Sequence, residues 1–237
     1  MLNILYEDET VLVVWKPVGM ESQSGHGFDA DMVSEIRRYL STGKPVDNHK
    51  LSTKSVEPYV GVIHRLDRPV SGVMVYAKTQ KAAAFLSRQV QEGKMKKIYR
   101  AVVCGKPVDN SGTYVDFLLK DQKINCSRIV DKSTDGGKLA RMNYHVVDSI
   151  EVKDEKAGEG LQVLTLVEIE LLTGRHHQIR VQMAGHGTPL YGDRKYGKSP
   201  SAGPLALCAV RLKFVHPMTG KEMSFSMKEK GGAFELF

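Results

Sequence analysis

The chain has 237 residues, 41% hydrophobic and 26% charged, which is typical of a globular protein with enough length for a buried core. Its formal net charge of +7 favours a polyanionic partner such as RNA or DNA. No apolar run approaches the roughly 18 residues that span a membrane, and the first residues do not read as a signal peptide. These features argue against a membrane protein or a secreted one.

The three cysteines, Cys104, Cys126 and Cys208, lie far apart and form no CxxC pair. An odd and scattered set argues against a disulfide framework or a zinc knuckle, and fits a reducing compartment. We therefore expect a cytoplasmic protein in which the cysteines are packing residues.

In the first third of the chain, the pattern predicts a buried strand at 11–15 that stops at the turn signal Lys16-Pro17-Val18-Gly19. Apolar residues recur at helical spacing over 31–40, and Asp29 or Asp31 is the expected N-cap. Residues 41–58 are polar and contain two prolines, which predicts a surface loop. A second helix is expected to begin at Thr79 and to end near Gly93.

The rest of the chain predicts mainly strands, at 97–104, 113–118, 139–148, 161–171, 205–215 and 222–227. Residues 151–160 are the expected tip of a hairpin, and a short helix is predicted near 175–185. Because strands outnumber helices and often follow one another directly, the sheet should be largely antiparallel. We expect an α+β fold in which a largely antiparallel mixed sheet is flanked by helices, forming a single domain over residues 1–237.

The first motif is residues 64–73, where Asp67 lies between Arg65 and Arg68 in a turn bounded by apolar, strand-like runs. Neighbouring guanidinium groups favour an ionised carboxylate, and a turn between strands holds it in one place. Asp67 is therefore a candidate nucleophile or general base. The alternative is that it only stabilises a tight turn, with an arginine as its surface partner.

The second motif is a tyrosine surrounded by basic residues in the run 93–103. On a strand, Lys97, Tyr99 and Ala101 share one face, opposite Ile98 and Arg100. Such a tyrosine suits RNA, because its ring can stack on a base while the ammonium groups meet phosphates. The alternative is a half-buried tyrosine on an edge strand with a solvated basic flank.

The third motif is the run 172–183, followed by a loop rich in glycine and cations at 186–197. If a helix opens here, His176 and Arg180 share one face, and its first N–H groups suit an anionic guest. A metal site is the alternative, because His176, His177, His186 and Asp193 are eligible ligands. Their spacing matches neither an HExxH helix nor a closed zinc cluster, so we expect no metal.

Taken in order, these motifs resemble those of the RluA-type pseudouridine synthase family. The matching features are HRLD at 64–67 with SGV at 71–73, KxYxAxVxG at 97–105, GRxHQIR at 174–180 and GDxxYG at 192–197. The segments around 4–19 and 206–217 resemble the first and last family motifs, so the resemblance covers nearly the whole chain. The chain looks like the compact subgroup that lacks an N-terminal RNA-binding domain.

Three positions depart from the family pattern. Val70 and His176 each stand where a threonine is usual, and Cys208 stands where a histidine is expected. None of these replaces the aspartate, the tyrosine or the second arginine. The departures therefore bear on the choice of substrate rather than on activity.

The resemblance implies isomerisation of specific uridines to pseudouridine in structured RNA, either rRNA or tRNA, without a cofactor. It implies that Asp67 is the catalytic carboxylate, that Arg180 forms an ion pair with it, and that Tyr99 stacks on the target base. Arg65 would prop open the helix after the uridine flips out, because a base inside a duplex is unreachable. The remaining expected substrate contacts are Lys97, Arg175, Arg194 and Lys195 on phosphates, and Leu207 in the uracil pocket.

Two other classes of function stay open on the residues alone. An RNA-binding or RNA-folding module would keep the scaffold without catalysis, and a metal-dependent hydrolase would lose activity to a chelator. The motifs do not name the RNA or the uridine. We expect residues 41–58 to make that choice, and we expect a monomer with no obligate protein partner.

Overall fold

The structure is a computed structural model that describes residues 2–24, 31–42, 57–153, 161–197 and 203–237. The strands and helices within these ranges are as follows: β1 (Asn3–Glu7), β2 (Val11–Lys16), α1 (Met32–Thr42), β3 (Gly61–Val62), β4 (Ser71–Ala77), α2 (Gln80–Gln91), β5 (Lys96–Cys104), β6 (Ser111–Asp121), β7 (Cys126–Val130), β8 (Lys138–Lys153), β9 (Leu161–Leu171), α3 (Gln178–Gly185), β10 (Leu207–Val215) and β11 (Glu222–Ser226), followed by a 3₁₀ helix (Gly232–Leu236).

The chain forms two compact units, of which the first comprises Met1–Met95 and Leu212–Phe225. In this unit β1 pairs with β2, β2 pairs with β4, and β3 pairs with β4, all antiparallel. The four residues Val11–Val14 are fully buried, which explains why this strand is a continuous apolar run rather than an alternating one.

Both helices of the first unit begin at side chains that cap their free N–H groups. Thr79 accepts a hydrogen bond from the N–H of Ala82 at 3.2 Å at the start of α2. At the start of α1, Asp31 accepts from the N–H groups of Val33 and Ser34 at 2.8 and 3.2 Å. The Asp31 cap is therefore confirmed, whereas Asp29 lies outside the described residues.

The second unit comprises Lys96–Arg211 and Ser226–Phe237. Its strands follow the order β5-β9-β8-β6-β7, and each of these pairs is antiparallel. Helix α3 packs on one face of this sheet, where Val181 joins Leu118 and Ala140 in a buried cluster. Side chains at alternate positions of β6 therefore face the helix.

The prediction of a largely antiparallel α+β fold is confirmed, and so are the strands and helices expected along the described chain. Strands β1 and β7 were not predicted, whereas β3 and β4 correspond to the strand-like runs that bound the Asp67 turn. The expected loop 41–58 and hairpin tip 151–160 lie mostly outside the described residues. A single domain over the whole chain stays a prediction.

Two further properties concern the class of protein. None of the helices in the described ranges is long and apolar enough to cross a membrane. Cys208 is buried, Cys104 and Cys126 are half-buried, and all three are free thiols, in line with packing roles.

Asp8 connects the turn between β1 and β2 to the segment after β10. Its carboxylate accepts from the N–H groups of Thr10 and Val11 at 2.7 and 2.8 Å and lies 2.6 Å from Nε2 of buried His216. Burial alone would raise the pKa of Asp8, but these backbone hydrogen bonds, and those from the Thr10 and Tyr6 hydroxyls, lower it from 3.8 to about 2.

We expect Asp8→Ala to lower the free energy of unfolding by about 1 to 3 kcal/mol at neutral pH, because it removes the acceptor for these donors. Since the pKa of Asp8 is depressed on folding, its contribution is complete above pH 3.8 and disappears as the pH falls toward 2. Urea unfolding at pH 7 and pH 3 checks this, with the exposed neighbour substitution Glu9→Gln as the control. A difference that does not shrink at low pH would contradict the assignment.

Candidate functional site

The turn that carries Asp67 is held by contacts on both sides of the aspartate. Ser22 Oγ accepts from the N–H of Leu66 at 2.9 Å and donates to its carbonyl at 2.8 Å. On the other side, the N–H of Gly19 donates to the carbonyl of Arg68 at 2.9 Å, and Arg68 Nε donates back to the carbonyl of Gly19 at 3.0 Å. Neighbouring residues therefore fix the backbone on either side of half-buried Asp67.

Lys16 lies under this turn and is fully buried, although it is a lysine. Its ammonium donates to the carbonyls of Pro17, Met20 and Arg68 at 3.0, 2.5 and 3.3 Å. Burial lowers the pKa of Lys16 to about 8, and the negative charges of Asp67 and Glu21 partly offset that effect. A buried positive charge is thus held within electrostatic range of Asp67.

In the second unit, β5 carries Lys97 and Tyr99 between β10 and β9. Both residues are buried, at 9% and 5% exposure, and with Ala101 they share the buried face as predicted. The alternative of a half-buried tyrosine on an edge strand is wrong, because Tyr99 is buried and β5 has a neighbour on each side, although the flanking Lys94 and Lys96 are exposed. Burial lowers the pKa of Lys97. The Lys97 ammonium lies against Gly174, at the start of the third motif.

The third motif opens its helix later than the spacing predicted. His177 has a φ of 53°, in the left-handed region, and α3 begins only at Gln178. His176 precedes the helix, so the predicted shared face of His176 and Arg180 is wrong. Instead His176 lies 2.9 Å from Ser127 Oγ and 3.1 Å from Asn125 Oδ1, on the hairpin between β6 and β7.

Arg180 is buried in α3 and forms a bidentate ion pair with Asp193. Nε and Nη2 donate to the two carboxylate oxygens at 2.8 and 2.7 Å. Burial alone would raise the pKa of Asp193, but the hydrogen bonds and charge of Arg180, together with two backbone N–H groups, hold it below its ordinary value. The preceding Gly192 has a φ of +76°, and a Cβ there would collide with the carbonyl oxygen of Pro204, so the position requires glycine.

His177 and Tyr196 form a second contact around Arg180. The Tyr196 hydroxyl lies 2.7 Å from Nδ1 of His177 and accepts from the N–H of Ser127 at 2.8 Å. Burial, and then the charges of Arg180 and Lys195, lower the pKa of His177 to about 4, while burial raises the pKa of Tyr196 to about 12. Both rings are therefore neutral at pH 7.

The expected phosphate contacts differ in exposure. Arg65, Arg175, Arg194 and Lys195 are exposed, whereas Lys97 is buried. Arg175 Nε and Lys195 Nζ each donate to a backbone carbonyl, those of Leu139 and Asn125, at 2.8 Å. These bonds orient the two cations while leaving them at the surface. Leu207 is buried, at 5% exposure, as a residue lining a pocket would be.

The side chains that were considered as metal ligands contact separate partners. The rings of His176 and His177 stack at 3.7 Å, His186 lies 3.1 Å from Asp116, and Asp193 binds Arg180. In the part of the chain that the structure describes, no three His, Cys, Asp or Glu side chains are grouped to hold a metal ion.

The motifs fall in both units, with Asp67 in the first and Tyr99 and Arg180 in the second. The ion pair expected between Asp67 and Arg180 therefore stays a prediction. Sequence reasoning missed the buried Lys16 and the roles of Asp193 and Tyr196. A lysine that ends a fully apolar strand just before a proline was the available signal for Lys16.

Comparison with known proteins identifies the class to which these motifs belong. The family model for RNA pseudouridylate synthases matches residues 10–185, which include Asp67, Tyr99 and Arg180. The ribosomal large subunit pseudouridine synthase D of Zymomonas mobilis is 34% identical over 94% of this chain and 68% of its own length. The uncharacterized RNA pseudouridine synthase YlyB of Bacillus subtilis is 36% identical, also over 94% of this chain and 68% of its own length.

Solved structures agree at the level of the fold. Human RNA pseudouridylate synthase domain containing 4 superposes with a TM-score of 0.71 over 99% of this chain and 90% of that chain, at 22% identity. The corresponding human domain-containing protein 1 gives a TM-score of 0.72 over 97% and 84%, at 20% identity. The matching family model and the similar relatives define the class, an isomerase that acts on RNA. The chain belongs to the RNA pseudouridylate synthase family, whose reaction converts uridine to pseudouridine.

Replacing Lys16 should loosen the Asp67 turn. Lys16→Met removes the ammonium that donates to three carbonyl groups around the turn, so we expect the free energy of unfolding to fall by about 2 to 4 kcal/mol. Denaturant unfolding measures this, and Lys81→Met on the exposed surface of α2 is the matched control. Equal stabilities for the two variants would show that the buried ammonium does not hold the turn.

His177 should remain neutral at pH values well below the ordinary pKa of histidine. In the folded protein we expect its ring to titrate near pH 4, against 6.5 for the ordinary group, as measured by the nitrogen chemical shifts of the imidazole. Because the unfolded chain binds the proton more readily, this residue makes the fold less stable as the pH falls from 6.5 to about 4. The same chain in urea is the control, and an unshifted midpoint in the folded protein refutes the expectation.

Proposed function

We propose that this protein isomerises specific uridines to pseudouridine in structured RNA, rRNA or tRNA, with Asp67 as the catalytic carboxylate. Family membership supports the reaction. The observation that carries the residue assignment is the Asp67 turn, whose backbone is fixed on both sides and lies over the buried ammonium of Lys16. A carboxylate held in this way has the fixed geometry that catalysis needs.

The reaction breaks the C–N glycosidic bond of uridine, turns the base, and joins the sugar to carbon 5 of the ring. No group enters or leaves and the oxidation state is unchanged, so the chemistry does not call for a cofactor. The carboxylate of Asp67 serves by one of three routes: addition to carbon 6 of uracil, addition to the anomeric carbon, or removal of a proton from the ribose. All three need an ionised carboxylate close to the sugar.

Nearby positive charge stabilises a carboxylate once RNA excludes water from it. Lys16 supplies one such charge within the same unit. Arg180 supplies the second in our proposal, by an ion pair with Asp67. Asp193 already engages the Nε and Nη2 edge of this guanidinium, which holds the side chain in a defined orientation.

Tyr99 and Leu207 contact the uracil in this proposal. Both are buried, which supports base flipping, because a uridine stacked within a helix could not reach either side chain. Exposed Arg65 then fills the gap that the flipped nucleotide leaves. The surface cations Arg175, Arg194 and Lys195 bind phosphates, as their exposure allows, whereas buried Lys97 would reach only a phosphate close to Gly174.

The substrate that we propose is a stem-loop of an RNA such as the ribosomal large-subunit RNA named for several relatives. The net charge of +7 favours such a polyanion without selecting one site in it. We further propose that the protein acts as a monomer in the cytoplasm.

Asp67→Asn should lower turnover by at least roughly a thousand-fold, because it removes the reacting carboxylate. Affinity for RNA should change by less than about threefold, since phosphate contacts dominate it. The measurement is pseudouridine mapping on total RNA by carbodiimide adducts and reverse-transcription stops. It compares cells that lack the gene with cells rescued by the wild type, by Asp67→Asn, or by the exposed control Asp135→Asn.

A stop that returns with the wild type and Asp135→Asn but not with Asp67→Asn would establish the activity, the carboxylate and the substrate together. A stop that also returns with Asp67→Asn would refute the assignment of Asp67. No difference between any of the cells would favour the RNA-binding module over the enzyme.

A further inference from the structure

Tyr196 contacts the guanidinium of Arg180, which Asp193 also binds. The Arg180 Cζ atom lies 5.2 Å from the centre of the Tyr196 ring, within the range of a cation–π interaction. Asp193 binds the same guanidinium edge-on, through Nε and Nη2. Asp193 therefore fixes one edge of the guanidinium, and the guanidinium also lies over the Tyr196 ring.

The tyrosine ring is itself held in place through its hydroxyl. The N–H of Ser127 in β7 donates to the phenol oxygen at 2.8 Å, and Nδ1 of His177 lies 2.7 Å away on the other side. Because His177 is neutral, its Nδ1 can accept the phenol proton while the ring proton resides on Nε2. Both hydrogen-bonding functions of the Tyr196 hydroxyl are then satisfied.

The backbone around Tyr196 connects this contact to the carboxylate that binds Arg180. Asp193 Oδ1 accepts from the N–H groups of Lys195 and Tyr196 at 2.9 and 3.2 Å. One short loop therefore supplies both the anion and the ring around Arg180. A long, flexible arginine side chain loses most of its freedom in such a setting.

We propose that Tyr196 is a positioning residue for Arg180: its anchored ring holds the guanidinium in the orientation that pairs with Asp67, and so increases the rate of isomerisation without binding RNA. This inference rests on the proposed function, because it takes Arg180 to be part of the active site. Tyr196 acts through Arg180 and is not itself a catalytic residue.

Two substitutions of Tyr196 distinguish the contribution of the ring from that of the hydroxyl. Tyr196→Leu removes both, and we expect kcat at saturating RNA to fall roughly tenfold, because the guanidinium loses its contact and orientation. Tyr196→Phe keeps the ring but frees it from Ser127 and His177, and we expect a fall of about threefold. The Kd for RNA should stay within about twofold in both variants, since neither loses a phosphate contact.

Tyr114→Phe is the matched control, because Tyr114 stacks on His186 at the other end of α3, with ring centroids 3.8 Å apart. Its kcat should equal that of the wild type. Active protein is counted by stoichiometric titration with RNA, so that a loss of folded protein is not read as a loss of rate. A Tyr196→Leu protein with the wild-type kcat, or one impaired only in Kd, would overturn the proposal.

A double-mutant cycle with Arg180→Lys tests whether Tyr196 works through the arginine. We expect Tyr196→Leu to cause no further loss in the Arg180→Lys background, whereas independent effects that multiply would overturn the proposal. Full activity of Arg180→Lys would remove Arg180 from the proposed active site, and this inference with it. If Arg180→Lys has no measurable turnover, the kcat and Kd of the two Tyr196 variants alone test the proposal.

Discussion

The buried ion pair between Arg180 and Asp193 is the interaction on which the second unit's functional segment depends. Two charges withdrawn from water are stable only with close geometry and further hydrogen bonds, and here the carboxylate also accepts from two backbone N–H groups. The pair joins α3 to the loop 186–197, which is bound in turn to β5 through the N–H of Tyr191 and the carbonyl of Val102. The strand that carries Tyr99 and the helix that carries Arg180 are therefore connected by one set of contacts.

The first unit also contains a buried cation, Lys16, but carbonyl groups accept its hydrogen bonds. Lys16 is buried against three carbonyl dipoles, whereas Arg180 is buried against one carboxylate. Each unit thus keeps a cation out of water at considerable desolvation cost. In both units, that cation lies within a segment that the family shares.

Much of the fold could be predicted from the sequence, because the strands and helices are marked by local patterns. Apolar spacing located α2, and Thr79 marked its first turn. The start of α3 could not be predicted, since His177 adopts a left-handed backbone that has no local signal and its ring contacts Tyr196, which is 19 residues away. The burial of Tyr99 depends likewise on β9 and β10, and Lys16 donates to the carbonyl of Arg68, which the distant Asp67 turn supplies. Long-range contacts of this kind leave no periodic signal in a single sequence.

The loop after α3 places two opposite mutational constraints side by side. Gly192 admits no side chain and Asp193 is committed to Arg180, whereas the next two residues, Arg194 and Lys195, are exposed. Substitutions at these two outer positions can alter the surface presented to a polyanion while leaving the guanidinium's environment intact. Adjacent positions of this loop therefore tolerate substitution to very different degrees, both among relatives and in a library of variants.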